Sequence, residues 1–311
     1  MMLTRKYWHN MKRVTVLMST YNGASYVNEQ IDSLLHQDDI QVQILVRDDG
    51  SSDNTISILE SYSKTCPLTI IRGENVGWRR SFMNLVNEAP DSDYYAFCDQ
   101  DDIWLPQKLS IAVDMLEKLP PDAPNLYCSN LYYYANNTKG QLIKRTDLLY
   151  NKYTCLLSNI ATGCTIVFNK KLKGIMAENM PTIPVAHDYW AYQTAMFLGN
   201  VVYDKDSYIL YRQHQNNQIG ASKNNFQKNI NRLKSYLYYD GNHERQVISA
   251  NLLSCYEELL SPESKKIINV LAGYRTNIKL KLQLLLDPKF KMNNSTIQNF
   301  AVRIRVLFNM I

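Results

Sequence analysis

Nowhere in the 311 residues does an apolar run approach the roughly 18 uninterrupted positions of a membrane-spanning helix, so a membrane-embedded chain is not expected. The opening Met1 to Arg13 carries charges and His9 but no apolar signal-peptide stretch, which argues against secretion. No CxxC spacing occurs among the six cysteines (Cys66, Cys98, Cys128, Cys155, Cys164, Cys255). Several lie inside apolar runs, so they read as reduced core thiols of a cytosolic protein, and a zinc site is not expected. No Gly-x-Gly-x-x-Gly follows the first apolar run and no Gly-Lys-Ser/Thr loop occurs anywhere, which disfavours dinucleotide oxidoreductases and P-loop kinases. Acidic charge is scarce at one end: residues 223–311 hold 14 Lys and Arg against 6 Asp and Glu. Such a tail attracts anionic surfaces. With 45% hydrophobic and 20% charged residues the chain is globular, long enough for one large domain and an appendage.

What is present begins with Tyr94-Tyr95-Ala96-Phe97-Cys98, a short apolar run suited to a central parallel strand, leading straight into Asp99-Gln100-Asp101-Asp102. Three carboxylates so close repel one another unless a cation sits among them. Two of them at the carboxyl end of a buried strand can share a divalent metal, where an open α/β sheet binds its ligands. The plainer alternative is a solvated acidic turn capping a helix that starts near Pro106.

Three earlier units repeat one pattern. Val14–Met18 is a strand leaving through Ser19-Thr20-Tyr21-Asn22-Gly23, with Ser25 placed to cap a helix carrying Val27, Ile31, Leu34 and Leu35. Val42–Val46 leads to Arg47-Asp48-Asp49-Gly50-Ser51-Ser52-Asp53, where Ser52 or Asp53 caps the next helix. Leu68–Ile71 leads to Asn75-Val76-Gly77-Trp78 and a helix with Phe82, Leu85 and Val86. Strands alternating with amphipathic helices imply a mainly parallel sheet with helices on both faces. Tyr21, Asp49, Arg79 and Asp101 then converge above one sheet edge. Asp49 can accept from a pyrimidine imide N–H and Tyr21 can stack on a base, or the pair is an Asx turn and ordinary packing. Arg79 and Arg80 are placed for a phosphate or for solvent.

Past Pro120-Pro121-Asp122-Ala123-Pro124 the pattern turns antiparallel. Leu126–Tyr134, a polar turn at 136–141 and Leu142–Arg145 predict a hairpin whose Tyr127, Tyr132, Tyr133 and Tyr134 either stack on sugar rings or pack in the sheet. Thr162-Gly163-Cys164 then enters a strand ending near Phe168. Asp188, among aromatics at the start of a helix through Tyr192 and Phe197, is a cap or a catalytic base. After a last strand at Tyr208–Tyr211, His214 is either structural or a third ligand for a carboxylate-held metal.

Ser19-Thr20-Tyr21-Asn22, Asp48-Asp49-Gly50-Ser51-Ser52-Asp53, Asn75-Val76-Gly77, Asp99-Gln100-Asp101-Asp102 and His187-Asp188, in that order, resemble the family 2 glycosyltransferases of the GT-A fold. The likeness spans roughly residues 13 to 220. With Ile103-Trp104 and Tyr211-Arg212-Gln213-His214 added, it is most similar to bacterial rhamnosyltransferases of surface polysaccharide synthesis. The resemblance implies that Ser19, Tyr21 and Asp49 hold the nucleoside with Arg79 and Gln100 beside it. It makes Asp99 and Asp101 the metal pair with His214, for Mg²⁺ or Mn²⁺, and Asp188 the general base. Asp102, Trp104, Gly163, Cys164, His187, Trp190 and Arg212 would surround the donor and acceptor sugars. Arg79 departs from the small residue the family commonly has after that glycine, and the processive synthases' Gln/Arg-x-x-Arg-Trp signature is missing after Trp190.

These readings lead to a Rossmann-like α/β GT-A catalytic domain at residues 1–222 and a basic helical region at 223–311. The activity expected is inverting, metal-dependent transfer from a nucleotide diphosphate sugar, dTDP-rhamnose by resemblance, to a saccharide or polyprenyl-diphosphate-linked acceptor. Two rivals differ in product or partner: a metal-dependent nucleotidyltransferase would release pyrophosphate, and a noncatalytic module would bind nucleic acid through the tail. The first generally needs a basic loop after its first strand, and Ser19–Ser25 contains no basic residue. Nucleic acid is not the expected partner. The tail, with Val247, Leu252, Leu259, Ile267 and Leu271 at helical spacing, either packs on the catalytic domain or a second subunit, or attaches to a membrane surface. A peripheral enzyme at the inner membrane face combines these.

Overall fold

Alternating apolar runs and amphipathic stretches become strands and helices in the computed structural model, which describes residues 11–135, 138–142, 149–213 and 244–311. β1 (Lys12–Thr20), α1 (Val27–Leu35), β2 (Ile40–Asp48), α2 (Thr55–Ser63), β3 (Leu68–Arg72), α3 (Trp78–Glu88) and β4 (Tyr94–Cys98) follow in order. β1 pairs in parallel with β2 and β4, and β2 with β3, so four carboxyl ends share one edge. Side-chain alternation divides the core between two faces. Val14, Val16, Met18, Ala96 and Cys98 belong to one apolar cluster and Leu17, Tyr95 and Phe97 to the other. Helices therefore cover both sides.

The chain continues through β5 (Ile103–Trp104), α4 (Lys108–Leu116), β6 (Asn125–Ser129), β7 (Tyr132–Ala135), β8 (Thr138–Leu142) and β9 (Val167–Asn169). Then come α5 (Lys170–Glu178), α6 (His187–Leu198), β10 (Asn200–Asp204) and β11 (Ile209–Arg212). The large sheet has the order β10-β6-β9-β4-β1-β2-β3, mainly parallel as expected, with β9 antiparallel to β4 and β6. The amino end of β9 thus lies where the parallel strands have their carboxyl ends. A second sheet, β5-β11-β7-β8, flanks it.

The single strand expected over Leu126–Tyr134 is two, in different sheets. Asn130 breaks it: its N–H donates to the carbonyls of Asp204 and Asp206, while its side-chain oxygen accepts from the Leu131 N–H. Local side-chain bonding of this kind competes with the ladder and redirects the chain. Tyr127 is then wholly buried, its hydroxyl donating to Asp204, and cannot stack on a sugar. The return strand β8 begins at Thr138, inside the expected turn, and residues 143–145 lie outside the described ones. Ser25 does not cap α1; Tyr26 holds that position and makes no side-chain cap bond.

At the C-terminal end, α7 (Glu244–Cys255), α8 (Pro262–Gly273), α9 (Ile278–Leu286) and α10 (Thr296–Leu307) follow. Ser261, Asn277 and Ser295 cap the last three, accepting from the N–H groups of Ser264, Lys279 and Gln298 respectively. Ile248, Leu252, Tyr256, Ile268 and Leu271 join the same apolar cluster as Phe97, Trp190 and Tyr192. Trp190 stacks on Tyr256 with centroids 5.5 Å apart, so the α6 core is completed by the tail. The expected boundary at residues 222/223 lies outside the described residues.

Candidate active site

The loops leaving β1, β2, β3 and β4 enclose a cleft of about 460 Å³ over the sheet edge. Ser19, Tyr21, Asp49, Asp99, Gln100, Asp101, Gly163, His187 and Asp188 line it, nine of the residues the sequence nominated. On the β1 side, Gln100 clasps the Tyr21 backbone: its Oε1 accepts from the Tyr21 N–H at 2.9 Å and its Nε2 donates to the Tyr21 carbonyl at 3.1 Å. The Tyr21 ring is left exposed at the rim. A Cβ on Gly23 would lie 2.2 Å from Gln100 Oε1, so only glycine permits that clasp. Ser19 Oγ meets Ser81 Oγ at 2.6 Å.

Asp48 and Asp49 have separate tasks. Asp48 makes an Asx turn, accepting from the Gly50 and Ser51 N–H groups and from the Thr20 and Ser51 hydroxyls. Asp49 is paired with buried Arg47 and accepts from the N–H groups of Val76 and Gly77. It thereby fixes the Asn75–Gly77 loop, where Gly77 has φ +81°, a left-handed value that suits glycine. Arg79 is not turned into the cleft. It pairs with Glu244 at 2.7 Å and donates to the Pro184 carbonyl, because the first turn of α3 points it toward α7.

Past β4 the carboxylates divide by direction. Asp99 and Asp101 line the cleft, whereas Asp102 is completely buried, its Oδ1 accepting from the Arg212 N–H at 3.0 Å. Burial, then the charges of Asp101 and Asp99, drive the Asp102 carboxyl well above its usual range. Cys164, whose thiol burial likewise pushes up, lies beside it. Asp102 and Cys164 are therefore corrected from sugar contacts to parts of the floor. Trp104 and Trp190 are also buried, Trp104 under the ammonium of Lys108 at 3.2 Å and Trp190 against Tyr256. Neither ring can meet a sugar. Arg212 donates to the Asp101 carbonyl, pairs with Glu29 and lies over the rings of Tyr26 and Tyr134. It braces the acidic loop from outside the cleft.

Asp99 is pushed up to about 7, by withdrawal from water first and then by the charges of Asp101 and Asp188. Repulsion of that kind is what a cation between Asp99 and Asp101 relieves, and two carboxylates suit a hard, oxygen-seeking ion. Asp99, Asp102 and Cys164 also bring ligand atoms within 4.8 Å of one another, but a neutral buried thiol is a poor partner for Mg²⁺ or Mn²⁺. The Asp99 and Asp101 pair fits such a cation. His214 lies outside the described residues.

The opposite wall comes from the start of α6. Ala186 is its N-cap, so Asp188, the second helical residue, is not the cap. Asp188 accepts from the Tyr189 N–H at 2.7 Å and from Asn159 Nδ2 at 3.0 Å. Burial raises its carboxyl to about 6 against those hydrogen bonds, leaving a base poised near neutrality. His187 stacks on Phe82 at 3.7 Å and edge-on to Phe97, and burial lowers its imidazole to about 3, keeping it neutral. A Cβ on Gly163 would lie 2.6 Å from His187 Nε2. Asn159, Thr162, Trp78 and Phe82 complete this part of the site without having been singled out for it. Trp78 adjoins the Asn75-Val76-Gly77 motif, but an asparagine in a polar loop carries no periodic signal.

Residues 15–175 match the family described as Glycosyl transferase family 2. The chain is 31% identical over 218 residues to dTDP-rhamnosyl transferase RfbG of Shigella flexneri, covering 66% of this chain and 74% of that protein. It is 26% identical to the Escherichia coli UDP-Glc:alpha-D-GlcNAc-diphosphoundecaprenol beta-1,3-glucosyltransferase WfgD, over 69% of this chain and 81% of the other. In fold it is similar to S. aureus TarS 1-349 solved with UDP-GlcNAc, at TM-score 0.59 and 16% identity over 94% of this chain and 81% of that one. It also resembles a Pyrobaculum calidifontis mannosyltransferase solved with GDP-Man and Mn²⁺, at TM-score 0.52 and 16% identity over 99% and 95% of the two chains.

Proposed function

The chain belongs to glycosyltransferase family 2, and from that premise we propose that it moves a sugar from a nucleotide diphosphate donor to a saccharide hydroxyl with inversion at the anomeric carbon. One observation carries the reading: a base with its carboxyl near 6 and a pair of repelling carboxylates, Asp99 and Asp101, line the same cleft. Asp188 takes the proton of the attacking hydroxyl, held in orientation by Asn159 and the Tyr189 N–H. The exposed Tyr21 ring stacks on the nucleobase, and Ser19 and Asp49 bound the nucleoside end. A divalent cation held by Asp99 and Asp101 would supply positive charge against the diphosphate leaving group.

The dTDP-rhamnose donor is favoured by the name of the Shigella flexneri relative, and a lipid-diphosphate-linked acceptor by that of the Escherichia coli relative. Surface polysaccharide synthesis is the setting that follows, with the enzyme peripheral at the inner membrane face. No helix among the described residues is long and apolar enough to cross a membrane.

A thermal-shift panel of nucleotide sugars with and without Mn²⁺ tests donor and metal together. At about a hundredfold excess over its dissociation constant the true donor stabilises by about 2.7 kcal/mol, a rise of roughly 5 °C for a chain of this size. Asp101→Ala removes the metal-dependent part of that rise; an undiminished rise in the variant would dismiss the ligand assignment. Gly163→Ala gives a narrower check. The added methyl displaces His187 and, through it, the start of α6, so kcat falls by about 10- to 100-fold with the donor KM held. An unchanged kcat would show that the glycine serves no positioning purpose.

A further inference from the structure

Helices in a folded domain normally turn their apolar stripe inward, and α9 and α10 each keep a second one outside. Ile278, Leu282 and Leu286, one helical turn apart along α9, are 68%, 48% and 72% exposed. In and just after α10, Ile297, Phe300, Leu307 and Phe308 are more than half exposed as well, while Val302 and Val306 fill the core. Lys281 Nζ donates to the Leu307 carbonyl at 2.7 Å, bringing the first turn of α9 within side-chain reach of the last turn of α10. Isolated surface leucines need no explanation, but seven large apolar side chains on two linked helices do.

The charge around them selects the occupant. Residues 275–311 contain seven Lys and Arg and one Asp. Helical spacing puts Lys279 beside Leu282 and Leu286, and Arg303 beside Phe300 and Leu307, at the borders of the apolar stripes. Both side chains are exposed, and among the described residues no carboxylate pairs with either. Aromatic and aliphatic groups bordered by long cationic side chains match the boundary between acyl chains and anionic headgroups, where the stems lie flat and the charges stay in water. A second copy of this chain would set one basic face against another.

We infer that the outer faces of α9 and α10 form a docking surface for an anionic lipid bilayer. The proposal rests on the reading above only for where a lipid-linked acceptor is met. Its test needs neither donor nor turnover, so its failure and a failure of the transfer reaction are distinguishable. The full-length protein is sedimented with vesicles of phosphatidylcholine alone or mixed with phosphatidylglycerol. It is expected to partition onto the mixed vesicles, and release from them by salt is expected because each basic residue near the surface strengthens binding by about fivefold. Ile297→Ser with Phe300→Ser and Phe308→Ser lowers that partition by at least about tenfold, as does Lys279→Glu with Arg303→Glu, with the thermal midpoint unchanged. Phe300→Trp supplies a gain of signal: a fluorescence blue shift on adding the mixed vesicles. No partition onto the mixed vesicles, a partition that survives both sets of substitutions, or a dimer that Phe300→Ser dissolves would overturn it.

Discussion

Asp188→Asn is expected to lower transfer by about 10³-fold or more while donor binding, read by thermal shift, stays intact, because a general base contributes up to roughly 10⁴-fold. Asparagine keeps the shape and can still accept from the Tyr189 N–H, but it cannot take a proton. In the native enzyme kcat/KM should fall as pH drops below about 6, where burial has placed this carboxyl, and the variant should lose that limb of the profile. Stability should move the other way. A carboxyl whose folded value is raised above its unfolded one favours folding when protonated, and that contribution is lost as pH rises through about 6. At pH 8 without added metal the variant should therefore melt above the native protein, by a margin that closes toward pH 4. Full turnover in the variant, or a midpoint that drops at pH 8, would remove Asp188 from the role.

Arg47→Met should be the most damaging change outside the chemistry, costing about 3–5 kcal/mol, or about 5–8 °C in midpoint. Arg47 is only 5% exposed and pairs with Asp49, itself 3% exposed, while donating to the Glu74 carbonyl and the Ser81 hydroxyl. Methionine would leave Asp49 as a buried anion held only by the Val76 and Gly77 N–H groups. Adding Asp49→Asn to Arg47→Met should recover part of the loss, since the uncompensated charge is then gone. If the double variant is no more stable than the single one, the pair is not what holds the Asn75–Gly77 loop.

Much of this arrangement is legible in the chain because its first part repeats one rule. Each of β1 to β4 is an apolar run ending in small or polar residues, and parallel pairing forces those endings to one edge, so Tyr21, Asp49, Asp99 and Asp101 meet with little else specified. Direction within a turn is not legible that way. Asp101 and Asp102 are adjacent and identical in type, yet one lines the cleft and the other is buried beneath it, where the Arg212 N–H donates to its Oδ1. Trp104 and Trp190 invite a sugar-stacking role by residue type alone, but α4 and the C-terminal helices close over them. Arg47 is concealed for another reason. A cation beside three acidic or polar residues reads as solvated surface until the loop after β3 folds across it. The Asn130 break is similar, since weak alternation from Leu126 to Tyr134 hides a change of sheet that depends on carbonyls more than 70 positions away.

The direction of β9 has a use beyond pairing. Because that strand descends from the rim while those beside it climb toward it, the chain carrying Asn159 and Gly163 reaches the rim from a stretch unrelated to the one carrying Tyr21 and Asp49. Lengthening or redesigning the run that leads into β9 can therefore reshape what approaches from one bank while the opposite bank keeps its form. In such a layout, on the function proposed above, acceptor preference can be altered on one bank without disturbing the bank that carries Tyr21 and Asp49.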